Sequence, residues 1–346
     1  MVGRAPFEIG NHLIAPGARE TVNLPVSVLS DHTPVTMSVH VIHGRRDGPV
    51  LFVSAAIHGD EIIGVEIARR LLRSATIEGL RGTLLVVPIV NTFGFLNHSR
   101  YLPDRRDLNR CFPGGPSGSL AARLADLFMC EIVGRADLGI DLHSAAIHRT
   151  NMPQIRVSTS QEKTLKLAEA FGAPVIILSK LRDGSLRQAA QKRGVDILLY
   201  EAGEGLRFDE LSARAGVAGI LRVMHEMGMI SRRVASRAKT KSLRTTSSSW
   251  QRAPVGGLLR VFKGTGETVS EGDILGVVAD PFGEVEIELK SEYTGVIIGR
   301  TNLPVVNEGD ALFHIASTSG IDPEATIELL ASQLSDDPLF DEDEII

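Results

Sequence analysis

Cysteine is scarce in this chain of 346 residues, which contains only Cys111 and Cys130. No C-x-x-C pair occurs, so both a disulfide framework and a thiolate zinc finger are excluded. An excess of basic residues is lacking as well, because the formal net charge is -5. This charge argues against a general nucleic-acid-binding protein and favours a small-molecule or protein partner.

Long apolar runs are also missing. Nowhere do 18 apolar residues follow one another, and the N-terminal stretch has no apolar core of signal-peptide length. We therefore expect a cytoplasmic protein that does not bind membranes. The hydrophobic fraction of 43% and the charged fraction of 23% are those of a globular protein with a sizeable core. The length allows a catalytic domain and an accessory module.

The first part of the chain, residues 1–230, has the pattern of an α/β domain. Three apolar segments between residues 19 and 57 predict a β-meander. Apolar residues at helical spacing then alternate with short buried runs, which predicts a mixed, largely parallel twisted sheet flanked by helices. In such sheets, ligands bind at the carboxyl ends of the strands.

The remainder of the chain changes character. Residues 231–253 are rich in Ser, Thr and basic side chains and are predicted to form a linker or exposed loop. Residues 254–317 contain an internal repeat, in which the sequence E-G-D and a following Leu recur after 37 positions. The repeat predicts a small pseudo-symmetric β module. A short capped helix and a disordered acidic tail are expected in residues 318–346.

The segment "SAAIHGDEIIG" places polar groups where an apolar strand ends. His58 and Glu61 stand just beyond the strand, at the first turn of a predicted helix. Asp60 or Glu61 could cap this helix, whose dipole favours a carboxylate there. The H-x-x-E spacing is equally compatible with two metal ligands. This segment alone does not favour helix capping over metal binding, or the reverse.

A second apolar strand, "GIDLH", also ends in a histidine, His143, 82 residues after Glu61. Two ligands on a short spacer and a third from a distant strand end form the set typical of hydrolytic zinc. Asp141 either orients one ligand or simply ends the strand. The addition of His143 therefore favours the metal interpretation.

A hydrolytic zinc site also needs a proton acceptor. The strand in "DILLYEAGEG" delivers Glu201, and Glu204 is the rival candidate. Glu201 is preferred because it lies closer to the strand end.

Cations are concentrated in "SRYLPDRRDLNRCFPGG", a Pro- and Gly-rich loop. A guanidinium can bind a carboxylate with two hydrogen bonds or stabilise an oxyanion. Arg100 and Arg110 are candidates for these roles, whereas Arg105 and Arg106 are interpreted as surface charges.

The motifs "HGDE", "RYLPDRRDLNRCFPG", "DLH" and "YEAGE", in this order, resemble the succinylglutamate desuccinylase and aspartoacylase family of the zinc carboxypeptidase superfamily. The resemblance covers about residues 45–230. It implies one Zn²⁺ per chain, with His58, Glu61 and His143 as ligands, and Glu201 as general base.

The same resemblance implies substrate contacts on the cationic loop. Asn109 and Arg110 would hold a substrate carboxylate, and Arg100 would polarise the scissile carbonyl. A substrate-facing tyrosine of the family has no matching motif here, and Tyr293 is the nearest candidate.

The C-terminal repeat resembles a biotinyl/lipoyl type of barrel-sandwich hybrid. Carrier domains of that type present a modified lysine at the hairpin tip, but "ADPFGEV" has none and Lys290 comes later. A swinging cofactor is therefore not expected, and the module is interpreted as a scaffold or lid beside the cleft.

Taken with the resemblance, these motifs favour a zinc-dependent amidohydrolase that deacylates an N-acyl amino acid or a similar small carboxylate-bearing amide. A metallocarboxypeptidase acting on short peptides is the alternative, since it would share the same metal chemistry. A non-catalytic binding protein is a second alternative. The sequence leaves open the acyl group, the amino acid and the oligomeric state, a homo-oligomer included.

Overall fold

The computed structural model describes residues 4–158, 162–231 and 242–317. The strands are β1 (Phe7–Ile9), β2 (His12–Ile14), β3 (Arg19–Val28), β4 (Pro34–His43), β5 (Arg46–Ala55), β6 (Arg81–Val87), β7 (Leu138–His143), β8 (Arg149–Val157), β9 (Val175–Leu178), β10 (Asp196–Gly203), β11 (Leu243–Thr245), β12 (Ser248–Arg252), β13 (Gly257–Val261), β14 (Thr268–Val269), β15 (Ile274–Ala279), β16 (Glu286–Lys290), β17 (Gly295–Thr301), β18 (Val305–Val306) and β19 (Ala311–Ser317). The α-helices are α1 (Ile63–Arg73), α2 (Thr92–Leu96), α3 (Leu120–Glu131), α4 (Glu162–Phe171), α5 (Leu186–Lys192) and α6 (Glu210–Glu226).

A mixed sheet of thirteen strands forms the centre of the protein. Its main path runs β12-β19-β17-β8-β10-β7-β5-β6-β4-β3. The central strands β6, β5, β7 and β10 are parallel, and antiparallel pairs flank them on both sides. The predicted class, a mixed α/β sheet flanked by helices with a β region after it, is confirmed.

The predicted N-terminal meander is wrong in its third strand. β3 and β4 form an antiparallel pair, but β4 pairs next with β6, and β5 lies between β6 and β7. β5 is buried on both faces, since Leu51 and Val53 pack into one apolar cluster and Phe52 into the other. A continuous apolar run suits such a central position better than a meander with one solvated face.

Helices cover both faces of the sheet. The apolar cluster on one face includes residues of α1, α4 and α6, and the cluster on the other includes residues of α3 and α5. In α1, the buried Ile63, Ile67 and Leu71 recur every four residues, so this short helix presents one apolar stripe to the sheet. Among the described residues, no helix is both long and apolar enough to span a membrane.

The C-terminal region, residues 242–317, is mostly antiparallel β structure, and part of it continues the main sheet. β17 pairs with β8, and β19 and β12 extend the sheet from there. A separate four-stranded sheet has the order β16-β15-β13-β18. The predicted linker is wrong where the structure describes it, because residues 242–253 contain β11 and β12, which pair with β9 and β19. The helix and acidic tail expected in residues 318–346 lie outside the described residues.

Candidate active site

The sequence-predicted site residues meet at the carboxyl ends of three parallel strands. His58 stands three residues after β5, and His143 is the last residue of β7. Glu201 lies in β10, where the parallel register pairs it with His143. Because these strands are neighbours in one sheet, their ends bring together residues that are far apart in the chain.

A tight turn carries His58 and Glu61 from β5 to α1. A Cβ on Gly59 would lie 1.9 Å from the carbonyl carbon of Gly94, so only glycine allows this close approach of the two backbones. The helix begins only at Ile63, and its N-cap, Ile62, makes no side-chain capping bond. Helix capping by Asp60 or Glu61 is therefore not observed, and the capping interpretation is wrong.

Glu61 lies between the two histidines. Its Oε1 is 2.7 Å from Nδ1 of His58, and its Oε2 is 2.6 Å from Nδ1 of His143. All three side chains are at least 96% buried. Each of the three side chains offers one atom that could bind a metal ion, and these three atoms lie within 4.8 Å of one another. Two imidazole nitrogens and a carboxylate oxygen thus converge on one point.

The outer nitrogen of each imidazole is held by an aspartate. His58 Nε2 donates to Asp107 at 3.1 Å, and His143 Nε2 donates to Asp141 at 2.8 Å. Asp141 is fully buried and also accepts a hydrogen bond from the hydroxyl of Ser54. In a neutral imidazole whose proton is on Nε2, Nδ1 has the lone pair that a metal ligand needs. Carboxylates hold metal-binding histidines in this way, so the donor set fits a zinc ion.

The charges of these groups reinforce one another. Burial alone would favour the neutral acid of Glu61, but His58 and His143 outweigh it and hold the pKa of Glu61 well below its usual range. Burial likewise opposes protonation of the imidazoles. Glu61 and Asp107 nevertheless raise the pKa of His58, and Asp141 and Glu61 raise that of His143. The site therefore stabilises an ionised Glu61 beside positively charged imidazoles. Zinc would bind the neutral imidazoles, so metal binding would release these protons.

The three predicted substrate-contacting residues line the same cavity. Arg100 donates from Nη1 to Glu61 and from Nε and Nη2 to Asp107, which places its guanidinium beside the metal ligands. Asn109 is fixed by accepting a hydrogen bond from the backbone N–H of Leu186 at the start of α5. Arg110 donates to the carbonyl oxygen of Asn109 at 2.6 Å.

Glu201 and Glu204, the two candidate bases, lie in different surroundings. Glu201 lines the cavity and accepts a hydrogen bond from Asn151. Glu204 instead connects two loops, by accepting hydrogen bonds from the backbone N–H of His148 and the side-chain amide of Asn302. Glu204 is not among the cavity-lining residues.

The cavity has a volume of about 370 Å³ and is rich in cations. Beyond Arg100 and Arg110, five basic side chains line it: Arg149, Arg156, Lys180, Arg182 and Arg187. Burial, and to a smaller extent the neighbouring Arg156, lower the pKa of Arg187 to about 10. The excess positive charge favours an anionic ligand. Arg105 and Arg106 are exposed and lie outside the lining, as expected for surface charges.

Two residues of the C-terminal region complete the cavity wall. The rings of Trp250 and His314 stack at 4.6 Å, and the guanidinium of Arg149 lies 5.2 Å from the Trp250 ring centre. Burial and nearby Arg156 lower the pKa of His314 to about 3. Tyr293 does not line the cavity and packs against the apolar cluster of the C-terminal region.

Sequence reasoning missed several of these residues. Asp107 could have been noticed as the acidic residue directly before "LNR". Arg156, Trp250 and His314 had no local signal, because their strands reach the cavity only through long-range pairing.

Comparison with known proteins shows several relatives. A curated protein from Halomonas elongata, N-alpha-acetyl-L-2,4-diaminobutyric acid deacetylase, is 27% identical over 307 residues, which cover 85% of this chain and 90% of the relative. The crystal structure of a succinylglutamate desuccinylase from a Silicibacter species has a TM-score of 0.79 at 24% identity, covering 92% of this chain and 99% of that one. The product-bound structure of the ectoine utilization protein EutE from Ruegeria pomeroyi also has a TM-score of 0.79 at 24% identity, and the match covers 91% of this chain and 100% of EutE.

A family model gives the same result from the sequence side. Residues 47–227, more than half of the chain, match the model described as the succinylglutamate desuccinylase/aspartoacylase catalytic domain. This range contains the turn with His58 and Glu61, the cationic loop, His143 and Glu201. The chain belongs to the succinylglutamate desuccinylase/aspartoacylase family.

Proposed function

We propose that this protein is a zinc-dependent deacylase that hydrolyses the amide of an N-acyl amino acid or a similar small carboxylate-bearing amide. The observation that carries this proposal is the convergence of His58, Glu61 and His143, with an aspartate behind each histidine. The deacetylase from Halomonas elongata supports deacylation as the type of reaction.

Zinc bound by these three side chains would make a water molecule more acidic and polarise the substrate carbonyl. Glu201 would accept the proton of the attacking water and pass it to the leaving amine nitrogen. Its position in the cavity wall, beside His143 in the sheet, supports this role.

The remaining side chains would bind and orient the substrate. The guanidinium of Arg100 would donate hydrogen bonds to the carbonyl oxygen as negative charge develops there. Arg110 and Asn109 would hold a carboxylate of the substrate, since a guanidinium and an amide are both suited to it. The cavity volume of about 370 Å³ favours a small amide over a longer peptide.

The excess of cations in the cavity indicates which substrates should react best. Arg182 and Arg187 line the cavity in addition to Arg110. We therefore expect a higher kcat/KM for substrates with a second carboxylate than for substrates with a side-chain amine. The cytoplasmic location and the oligomeric state stay predictions from the sequence.

A panel of N-acyl amino acids and short peptides, assayed with and without a chelator, tests the reaction. We expect turnover of acyl-amino acids that the chelator abolishes and added zinc restores. Hydrolysis of peptides alone would establish the carboxypeptidase alternative, and a purified protein that binds no stoichiometric zinc would refute zinc as the catalytic metal.

The base is tested by Glu201→Gln, with Glu204→Gln as the matched control. Glu201→Gln should lower kcat by about 10²- to 10⁴-fold while zinc stays bound, because the amide cannot accept the proton. Glu204→Gln should stay close to wild type, since Glu204 only connects loops. A fully active Glu201→Gln variant would exclude Glu201 as the base.

A further inference from the structure

The carboxylate of Glu201 is held by two side chains of the neighbouring strand β8. Asn151 donates from Nδ2 to Oε2 at 2.8 Å, and Nε of Arg156 lies 3.6 Å from Oε1. Asn151 is only 9% exposed, so its amide has a fixed environment. Each oxygen of Glu201 therefore has its own neighbour on β8.

An irregularity in β8 allows both Asn151 and Arg156 to lie beside Glu201. Glu201 pairs with Gln154, whereas Gly203 pairs with Asn151, so three steps along β8 match two steps along β10. The extra residue is a β-bulge, which reverses the alternation of side chains between the two faces of the strand. Asn151 and Arg156 would lie on opposite faces of a regular strand, but both line the cavity.

The other side of Asn151 is formed by the C-terminal region. Gly299 lies opposite Asn151 on the adjacent antiparallel strand β17. A Cβ on Gly299 would lie 2.5 Å from Oδ1 of Asn151, so a larger residue would displace this amide. The absence of a side chain at position 299 leaves room for Asn151 to point toward Glu201.

We propose that Asn151 is a positioning residue for Glu201, and that Gly299 of the C-terminal region leaves the space in which Asn151 does so. The inference rests on the proposed function, in which Glu201 is the base. The hydrogen bond from Asn151 to Oε2 limits rotation of the carboxylate. Oε1, which lies 3.6 Å from Nε of Arg156 and thus beyond hydrogen-bond distance, can accept the proton. Displacement of a catalytic group by about 1 Å can cost about 10²-fold in rate, so this restraint matters for kcat.

The test compares two similar hydrogen bonds. Asn302 donates to Glu204 at 2.9 Å much as Asn151 donates to Glu201, but Glu204 lies outside the cavity lining. Zinc-loaded Asn151→Ala and Asn302→Ala are compared for kcat, KM, zinc content and thermal unfolding, with the best substrate of the acyl-amino acid panel. Asn151→Asp keeps the shape of the side chain and guards against a folding defect.

We expect Asn151→Ala to lower kcat about 10- to 100-fold, with KM changed by less than about threefold and zinc content unchanged. The kcat of Asn151→Asp should fall at least as much, because the substitution replaces the amide that donates to Glu201 with a second negative charge. Asn302→Ala should keep the wild-type kcat. Gly299→Ala should lower kcat in the same direction as Asn151→Ala, since the new methyl group displaces the amide.

A double mutant separates the possible failures. In the Glu201→Gln background, Asn151→Ala should lower the residual rate no further, because the two residues act as one unit. If Glu201→Gln is inactive but Asn151→Ala and Asn151→Asp both keep the wild-type kcat, the positioning inference is wrong and the proposed function stands. If Glu201→Gln is itself fully active, the proposed base is wrong, and the positioning inference falls with it.

Discussion

The pair formed by His143 and Asp141 gives the sharpest prediction about metal affinity. Asp141→Asn keeps the shape of a fully buried side chain but removes its negative charge from the imidazole 2.8 Å away. A histidine held by a neutral amide is a weaker electron donor than one held by a carboxylate. Loss of such a partner typically weakens metal binding 10- to 100-fold, or about 1.4 to 2.7 kcal/mol.

The measurement is a zinc titration against a chromogenic chelator, with circular dichroism as a check on folding. Ser54→Ala is the matched control, because it removes the other hydrogen bond of Asp141 and leaves the contact with His143 in place. We expect the control to change zinc affinity by less than about threefold, given the modest net worth of one neutral hydrogen bond. Equal zinc affinity in Asp141→Asn and wild type would refute the reasoning, as would an equal loss in Ser54→Ala.

Three further predictions concern stability and the shape of the site. His314 has a pKa of about 3 in the folded protein and about 6.5 in the unfolded chain, so below pH 6.5 unfolding takes up a proton and lower pH destabilises the fold. Between pH 7 and pH 5 the free energy of unfolding of the wild type should therefore fall by about 2 kcal/mol more than that of His314→Gln. Urea unfolding at both pH values measures the difference. Equal losses would contradict the buried neutral imidazole. Tyr200→Phe removes a buried hydroxyl that donates to a backbone carbonyl at 2.7 Å and should lower the free energy of unfolding by about 1 to 3 kcal/mol; an unchanged urea midpoint would argue against that bond. Gly59→Ala places a methyl group 1.9 Å from the backbone of Gly94 and should abolish zinc binding, measured by metal content, whereas Gly115→Ala meets nothing within 4 Å and should be neutral.

The C-terminal region has a more direct part in the site than a scaffold or lid would have. Trp250 and His314 form part of the cavity wall, and Gly299 lies against Asn151. These contacts arise because β12, β19 and β17 extend the same sheet that carries the proposed metal ligands. Whether the region also opens and closes the cavity stays a separate prediction.

The sequence by itself determined many of the strands and helices before residue 231 and the main candidates of the site. Apolar runs predict where strands end, and a polar residue just beyond a buried strand stands out whatever the rest of the fold. His58, Glu61, His143 and Glu201 were found in this way, and the structure brings all four to one edge of the sheet. Their proposed roles await the tests above.

Only the tertiary structure decided which strands are neighbours and which side chains share the cavity. The apolar run of β5 indicates a buried strand but does not identify its neighbours, which are the parallel strands β6 and β7. The two strands of the predicted linker had no apolar period because they are short and partly exposed. Asp107, Asn151 and His314 reach the site through a loop, a bulge and a distant strand. The physical reason is that strand pairing and bulges depend on contacts between residues far apart in the chain, which no local pattern encodes.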